Sequence, residues 1–252
     1  MKIIKYQKKK QGKYVIELEN GIEIETYEDL ILKYDLLIKK DLSLETLQKI
    51  EEENIVYDVY FIALKYLKTK MRSIYEVRNY LLKKGYASEI ISSTIDLLKH
   101  QGYLDDFTYA KAFLHDRISF SSDGPLKIKE EFEKLELTED QKKTVLLEYT
   151  EELESERIEK IILKQVRANH SKSNYSLKQK IYQNLCTLGY HTSLLEEKLS
   201  TVLQDEETED AIYKKEYQKL YRKLSRKYSG KELEYQIRQK LFQKGFRKHG
   251  DL

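Results

Sequence analysis

Two adjacent carboxylates, Asp105 and Asp106 in the segment GYLDD, form the arrangement in this chain that most resembles a catalytic or metal-binding site. Carboxylate oxygens can hold a divalent cation or transfer a proton. The same position also suits a helix cap, because the Asp106 side chain can accept a hydrogen bond from the free amides of a predicted helix over residues 107–118. We favour the capping interpretation for Asp106.

Motifs of common enzyme classes are absent from the sequence. There is no GxxxxGK[ST], GxGxxG, HExxH or GxSxG pattern, and the histidines do not share a metal-ligand spacing. We therefore predict no catalytic residues, no metal site and no cofactor, and we expect that the protein is not an enzyme. The scattered histidines are His100, His115, His170, His191 and His249.

Basic residues are concentrated towards the C-terminus. Residues 213–248 contain 13 Lys or Arg against three Glu, a net charge of +10, whereas residues 126–160 carry a net charge of −5. Such a cluster can neutralise phosphates or an acidic protein surface, although lysines and arginines also merely solvate exposed helix faces. The candidate binding residues chosen on charge alone are Lys127, Arg222, Lys223, Arg226, Arg238, Lys244 and Arg247.

Tyrosines interleave with these cations, and the chain has 21 of them. Aromatic rings between Lys and Arg could stack on the bases of single-stranded nucleic acid. However, Tyr213, Tyr217, Tyr221 and Leu224 are spaced like the buried stripe of a helix. We predict that these tyrosines belong to the core.

A helix ending recurs along the chain, in which an apolar stripe runs into a Gly and then an aromatic residue, as in Gly85-Tyr86. This pattern predicts a left-handed cap that turns the aromatic side chain back onto the helix. Apolar residues precede each such Gly by eight and four positions, and the same offsets identify a degenerate copy at Glu136, with Leu137 in the aromatic position. The aligned positions Gly85, Glu136, Gly189 and Gly245 lie 51, 53 and 56 residues apart, which predicts a repeat array able to bind a long partner.

The elements that must position these residues are predicted from breakers and caps. Asn20-Gly21 between β-favouring segments predicts a hairpin turn with both residues at positive φ, and with it a small antiparallel sheet over residues 2–26. Residues beyond about position 54 read as helix, and the acidic segment 205–210 reads as a hinge or a helix start. Capping boxes are predicted at Ser73–Glu76 and Ser193–Glu196, and a loop is predicted over 121–124. The predicted helix starts are Thr26, Ser43, Asp58, Ser73, Ser88, Asp106, Pro125, Thr138, Ser155, Tyr175, Ser193, Thr208 and Lys231, with separate helices over 43–50 and 58–70.

The predicted fold class is therefore mainly all-α, with tandem three-helix repeats in an elongated curved array and a small N-terminal sheet. The predicted regions are 1–53 (sheet and short helices), 54–104, 105–150 and 151–205 (three-helix repeats, the second degenerate), and 206–252 (a basic partial repeat of two helices). The missing third helix makes the last repeat a distinct cap or a frayed end.

Composition limits the environment of the protein. The chain has 252 residues, nine Gly, one Pro and one cysteine, Cys186, so an internal disulfide is impossible. We find no signal-peptide pattern and no long apolar run. We expect a cytoplasmic monomer that does not enter a membrane.

One ordered series of motifs resembles the RecX family of regulators of the RecA recombinase, specifically its longer Gram-positive type. The series comprises Arg72, Ser73, Glu76, Val77 and Arg78, then Lys84-Gly85-Tyr86, GYLDD at 102–106, Tyr109, Ala110, Phe113 and Arg117, and Gly124, Pro125 and Ile128.

The resemblance implies a non-enzymatic protein that binds RecA filaments and inhibits their ATPase and strand exchange. By motif position it marks Arg72, Arg78, Lys84 and Arg117 as binding residues. From the basic faces of the chain we also expect contact with single- or double-stranded DNA without sequence preference. The segment from Lys134 to Leu137 lacks the Gly that the family has at this helix end, so the sequence does not predict the shape of that turn.

Two other functions are compatible with the residues alone. A helix-turn-helix-like unit over residues 73–99 could make the protein a direct DNA-binding regulator. A scaffold that recognises another cellular protein through a concave face is also possible.

Overall fold

A computed structural model describes residues 1–10, 12–169, 171–201 and 206–247. Within these ranges three strands are followed by twelve helices, so the predicted mainly all-α class with a small N-terminal sheet is confirmed. The chain forms two compact units, Met1–Tyr109 and Ala110–Leu252, described separately below. Asp205 of the predicted hinge, His170, Lys248 and His249 lie outside the described residues.

The first unit begins with an antiparallel sheet in the order β1-β2-β3, formed by Ile3–Lys8, Lys13–Leu18 and Glu23–Tyr27. The predicted Asn20-Gly21 turn joins β2 to β3. Among the described non-glycine residues only Asp35 has a positive φ, so Gly21 (φ +80°) adopts the left-handed conformation and Asn20 does not. The prediction that both turn residues need a positive φ is therefore wrong.

Two helices follow the sheet, α1 at Glu28–Lys33 and α2 at Leu44–Leu67. Thr26 does not cap α1, since Tyr27 is the N-cap residue and Thr26 is buried in β3. The predicted break between residues 50 and 58 is also wrong, because no Gly or Pro interrupts the segment and α2 is continuous over 24 residues. Thus α2 passes through the predicted boundary at 53/54.

The second half of α2 packs with α3, Ile74–Lys83, and α4, Ser88–His100. Their shared core includes Val77, Leu81 and Ile95, all at most 2% exposed. The predicted capping box at α3 is confirmed: Ser73 Oγ accepts from the Glu76 amide at 3.2 Å, and the Glu76 carboxylate accepts from the Ser73 amide at 3.1 Å. Helix α4 has Ala87 as its N-cap and no side-chain cap.

Asp106 caps a different helix from the one predicted. It is the first residue of α5, Asp106–Phe120, and the carboxylate of Asp105 accepts from the Phe107 amide at 2.9 Å. The Asp106 side chain is buried, and its Oδ1 accepts a hydrogen bond from the amide of Ile74 at 2.8 Å. Asp106 therefore satisfies the N-terminus of α3.

In the second unit, α6 (Pro125–Phe132) and α7 (Glu139–Leu146) follow the predicted loop at 121–124. Pro125 occupies the first helical turn and a helix restarts at Thr138, as predicted, and Thr138 forms a capping box with Gln141. Helix α6 ends at Phe132, so the left-handed cap that Gly provides elsewhere is absent at Glu136, which lacks a positive φ.

A three-helix bundle follows, with α8 at Glu151–Ala168, α9 at Asn174–Thr187 and α10 at Thr192–Thr201. Helix α8 begins before the predicted Ser155, because Thr150 Oγ1 accepts from the Leu153 amide at 3.2 Å. The predicted capping box at Ser193 is wrong as well. The buried Glu154 carboxylate accepts from the His191 amide at 2.8 Å, and α10 starts at Thr192.

The last pair consists of α11 at Glu206–Leu224 and α12 at Gly230–Gln243, which pack around Leu220, Ile237 and Leu241. Tyr213 and Tyr217 pack against this core, as predicted. Tyr221 does not, since it is 49% exposed while the neighbouring Leu220 is buried.

The recurring Gly-aromatic ending forms a left-handed cap wherever it occurs. Gly85, Gly189 and Gly245 have φ values of +88°, +82° and +89°. The following aromatic amide donates to the carbonyl five residues earlier, as from Phe246 to Leu241 at 3.1 Å and from Tyr190 to Leu185 at 3.2 Å. The predicted apolar positions upstream are buried.

Each repeat contributes a middle helix, and the end of α9 packs on the start of α6. The Gly124 amide donates to the Leu188 carbonyl at 2.7 Å, and the Leu126 amide donates to the Gly189 carbonyl at 3.0 Å. A Cβ on Gly189 would lie 2.6 Å from the backbone nitrogen of Lys127, so only Gly fits this contact.

The start of α9 makes an equivalent contact with the end of α12. The hydroxyls of Ser173 and Ser176 both donate to the Lys244 carbonyl at 2.7 Å. A Cβ on Gly245 would lie 2.6 Å from Ser173 Oγ. We call these two contacts the middle-helix joints, because in both the cap of one middle helix lies on the first turn of the preceding middle helix.

Candidate partner-binding surface

The α11 cationic stripe is the densest positive surface in the second unit. We define it as Lys215, Lys219, Arg222, Lys223 and Arg226. The last four follow the i, i+3, i+4, i+7 spacing of one helix face, with Arg226 in the turn after the helix, and all five side chains are exposed. Lys219 approaches Glu216 at 3.7 Å, and the other four have no hydrogen-bond or ion-pair partner among the described residues.

Helix α12 presents a mixed stripe on the side opposite its buried leucines. Lys231, Tyr235, Arg238 and Phe242 are all exposed and repeat at helical spacing, with Tyr235 at 56% and Phe242 at 57%. Within the described residues Arg238 has no charged partner. Cations and exposed aromatic rings therefore alternate along this face, and the Arg247 guanidinium lies 5.7 Å from the Phe242 ring centroid.

Two of the predicted binding residues are engaged in packing. Lys244 Nζ contacts a Glu216 carboxylate oxygen at 2.5 Å and ties the end of α12 to α11. The hydrogen bond from Lys244 lowers the pKa of Glu216 below its ordinary value. The guanidinium of Arg247 lies 3.6 Å from the ring centroid of Tyr175 and so covers the joint between α9 and α12.

Arg117 and Lys127 share one carboxylate, that of Asp123. Lys127 Nζ is 2.7 Å from Oδ1 of Asp123, and Arg117 is 3.3 Å from Oδ2. Burial acts to raise the pKa of the Asp123 carboxyl, but hydrogen bonds from Lys127 and Ser121 and the charge of Arg117 outweigh it, so this pKa lies below its ordinary value of 3.8. The pair thus retains a net charge of about +1 for a partner.

The Asp123 carboxyl has a lower pKa in the folded protein than in the unfolded chain, so its ionised form stabilises the fold at pH values above the ordinary pKa. This contribution is lost as the pH falls through the folded-state pKa. We expect Asp123→Asn to lower the free energy of unfolding by about 1 kcal/mol at neutral pH. The difference from wild type should shrink below about pH 4. Urea unfolding across this range measures it, with exposed Asp116→Asn as the control, and a difference independent of pH would contradict the assignment.

In the first unit, the three predicted residues lie on or beside α3. The guanidinium of Arg72 lies 4.1 Å from the Tyr66 ring centroid and 3.5 Å from a Glu76 oxygen, so it fastens the start of α3. Arg78 is half-buried on α3 and has an interaction within the chain. Lys84 is exposed at the C-cap, with Nζ 5.3 Å from the Tyr80 ring centroid.

The structure adds residues to the candidates that were chosen on charge. Lys215 and Lys219 extend the α11 cationic stripe, and Tyr235 and Phe242 complete the mixed stripe on α12. Their helical spacing is present in the sequence and could have identified them. In the described part of the chain, no group of three or more His, Cys, Asp or Glu residues could hold a metal ion. None of the helices described is both long and apolar enough to cross a membrane.

A family model described as RecX, first three-helix domain, matches residues 60–98, which include α3 and most of α4. The regulatory protein RecX of Halalkalibacterium halodurans is 32% identical over 212 residues, covering 82% of this chain and 80% of that protein. The chain belongs to the RecX family. A second regulatory protein RecX, from Leuconostoc mesenteroides, is 27% identical over 201 residues, covering 80% of this chain and 75% of that protein.

Solved RecX structures share the fold. A crystal structure of regulatory protein RecX aligns with a TM-score of 0.69 at 24% identity, over 77% of this chain and 97% of that chain. RecX from Lactobacillus salivarius aligns with a TM-score of 0.52 at 24% identity, over 60% of this chain and 99% of that chain. The predicted family is confirmed, and with it a regulatory role.

Proposed function

We propose that this RecX protein binds RecA filaments on DNA and lowers their ATPase and strand exchange. The proposal rests on family membership together with one observation on this chain, the α11 cationic stripe. Four of its five cations have no partner within the described residues, so their charge is available to an external anion. A filament of protein on DNA offers phosphates and acidic side chains along its length.

The chemistry of the stripe suits such a target. Lys and Arg at i, i+3, i+4 and i+7 can contact successive anionic groups along one line, and release of counterions from phosphates makes the attraction strong at low salt. No transfer of covalent bonds is involved, and inhibition follows from occupancy of the filament. We also propose that the protein acts in the cytoplasm as a monomer.

Charge reversal on the stripe provides the test. We expect the triple variant Arg222→Glu, Lys223→Glu, Arg226→Glu to need on the order of tenfold more protein than wild type to halve the RecA ATPase on single-stranded DNA. The matched control reverses the exposed Lys129, Lys143 and Lys164, which changes the net charge equally. Failure of excess wild-type protein to affect the ATPase would refute the proposal, and equal potency of both variants would exclude the stripe.

A second candidate is direct binding to single-stranded nucleic acid without RecA. The exposed Tyr235 and Phe242 beside Arg238 favour it, because exposed rings next to cations can stack on unpaired bases. Binding to an oligonucleotide with a steep salt dependence and no sequence preference, in the absence of any ATPase effect, would support this candidate instead.

Insertion of α4 into the major groove has less support. The exposed side of α4 carries Glu89 and Asp96, whose carboxylates would face DNA phosphates at either edge of the groove. Sequence-specific binding through the α3–α4 pair is therefore not our proposal.

A further inference from the structure

The first unit contains an open groove that shares Arg72 with the candidate binding residues described above. It lies beside the last turns of α2 and the turn after α4, and its volume is about 670 Å³. That volume can accommodate several large side chains. The lining residues are Phe61, Leu64, Lys65, Leu67, Lys68, Met71, Arg72 and Tyr103.

The floor of the groove is apolar, and two of its aromatic rings pack on neighbouring rings. Phe61 stacks on Tyr27 at 5.0 Å, and the Tyr103 ring meets the edge of Tyr60 at 6.4 Å. Met71 and Tyr103 are nevertheless 54% and 55% exposed. Tyr103 follows a left-handed Gly102 cap, yet its ring faces the groove instead of being buried like Tyr190 and Phe246. Met71 and Tyr103 therefore offer exposed apolar surface that a partner side chain could cover.

The rim of the groove is cationic. Lys65 and Lys68 are exposed, and neither ammonium has an ion-pair or hydrogen-bond partner within the described residues. The third rim cation, Arg72, lies 3.5 Å from a Glu76 oxygen that Lys70 also approaches at 3.3 Å, so within the described residues Lys65 and Lys68 are the rim cations without a counter-charge. The rim therefore carries a net charge of about +2 around an apolar floor.

We propose that this groove docks an acidic peptide segment of a partner protein, with aliphatic or aromatic anchor side chains on the floor and Asp or Glu beside Lys65 and Lys68. Nucleic acid fits less well, because a sugar-phosphate chain would leave Leu64, Leu67 and Met71 without apolar contacts. A peptide with alternating anchors and carboxylates satisfies both the floor and the rim. The site stands on residues of the first unit alone and does not depend on RecA binding.

The experiment uses the full chain and a displayed library of random peptides of about twelve residues, a length that spans the anchors of a helix or strand. Selection on wild-type protein should enrich peptides that combine Leu, Phe or Trp with Asp or Glu. We expect Lys65→Glu/Lys68→Glu to weaken binding of a labelled selected peptide at least about tenfold. The charge-matched control is Lys9→Glu/Lys83→Glu, two exposed lysines of the same unit, and it should bind like wild type.

Several results would overturn the proposal. The selection could recover no peptides that combine apolar and acidic residues. The double variant could bind the selected peptide as tightly as wild type does, or oligothymidine could displace that peptide. Concentration-dependent dimers that disappear on Met71→Asp would instead assign the groove to a second copy. Circular dichroism checks that the Lys65→Glu/Lys68→Glu variant is folded. If this variant still inhibits the RecA ATPase like wild type, then the groove has been lost without loss of the proposed function.

Discussion

Replacement of Gly124 by Ala is expected to lower the free energy of unfolding by about 3 kcal/mol. A Cβ at this position would collide with the carbonyl oxygen of Gly189, and would lie 2.6 Å from its carbonyl carbon and 2.7 Å from the Tyr190 nitrogen. All three are backbone atoms of the middle-helix joint and cannot rotate away. Gly124 has φ −85°, which Ala adopts readily, so the cost is purely steric.

Gly85→Ala is the matched control for this experiment. Gly85 has φ +88° and open space where a Cβ would stand, so Ala there suffers only the strain of a left-handed backbone. We expect about 1 kcal/mol. Guanidinium unfolding followed by circular dichroism compares the two variants. A Gly124→Ala loss no larger than that of Gly85→Ala would mean that the joint is looser than described.

Asp106→Ala is expected to cost about 3 kcal/mol, because it leaves the Ile74 amide unsatisfied at a buried site and removes an anion from the positive end of α3. The side chain is only 3% exposed, so water cannot readily replace it. Asp106→Asn keeps an acceptor oxygen for Ile74 and should lose less.

Replacement of the neighbouring Asp105 shows how much of the Asp106 effect comes from burial, because both carboxylates cap a helix and only Asp106 is buried. Asp105 is exposed and caps its own helix, α5, through the Phe107 amide and the Thr108 hydroxyl. Asp105→Ala should cost about 1 kcal/mol. Thermal and chemical unfolding of both variants decides the matter, and a larger loss at Asp105 than at Asp106 would be incompatible with the roles assigned here.

Local rules explain which parts of the fold were predictable. The caps at Gly85, Gly189 and Gly245 depend on a few consecutive residues, so their spacing alone predicts the ends of α3, α9 and α12. What those caps touch depends on distant residues. Gly189 lies against the backbone of Lys127, and Asp106 accepts a hydrogen bond from the amide of Ile74. Both contacts join residues far apart in the sequence, so a short sequence segment cannot predict them.

The same distinction between local and distant residues explains which candidate binding residues are accessible. Charge clustering identified Arg222, Lys223 and Arg226, which are exposed without partners within the described ranges. It could not foresee that Lys244 is paired with Glu216 and that Arg247 lies on Tyr175, because both partners come from other helices. A cation count predicts available charge only where the neighbouring elements leave it unpaired.

The two middle-helix joints have an evolutionary consequence. In both, the cap of a middle helix meets the first turn of the preceding middle helix, once through backbone amides and once through serine hydroxyls. The cap and the first turn both belong to the middle helix of a repeat. A duplicated repeat that carries the motif therefore brings its own compatible ends. Gene duplication can therefore lengthen such a chain one unit at a time without redesigning an interface. The two joint-forming glycines, Gly189 and Gly245, follow the preceding aligned positions, Glu136 and Gly189, by 53 and 56 residues, so the connecting segments differ in length while the joint is preserved.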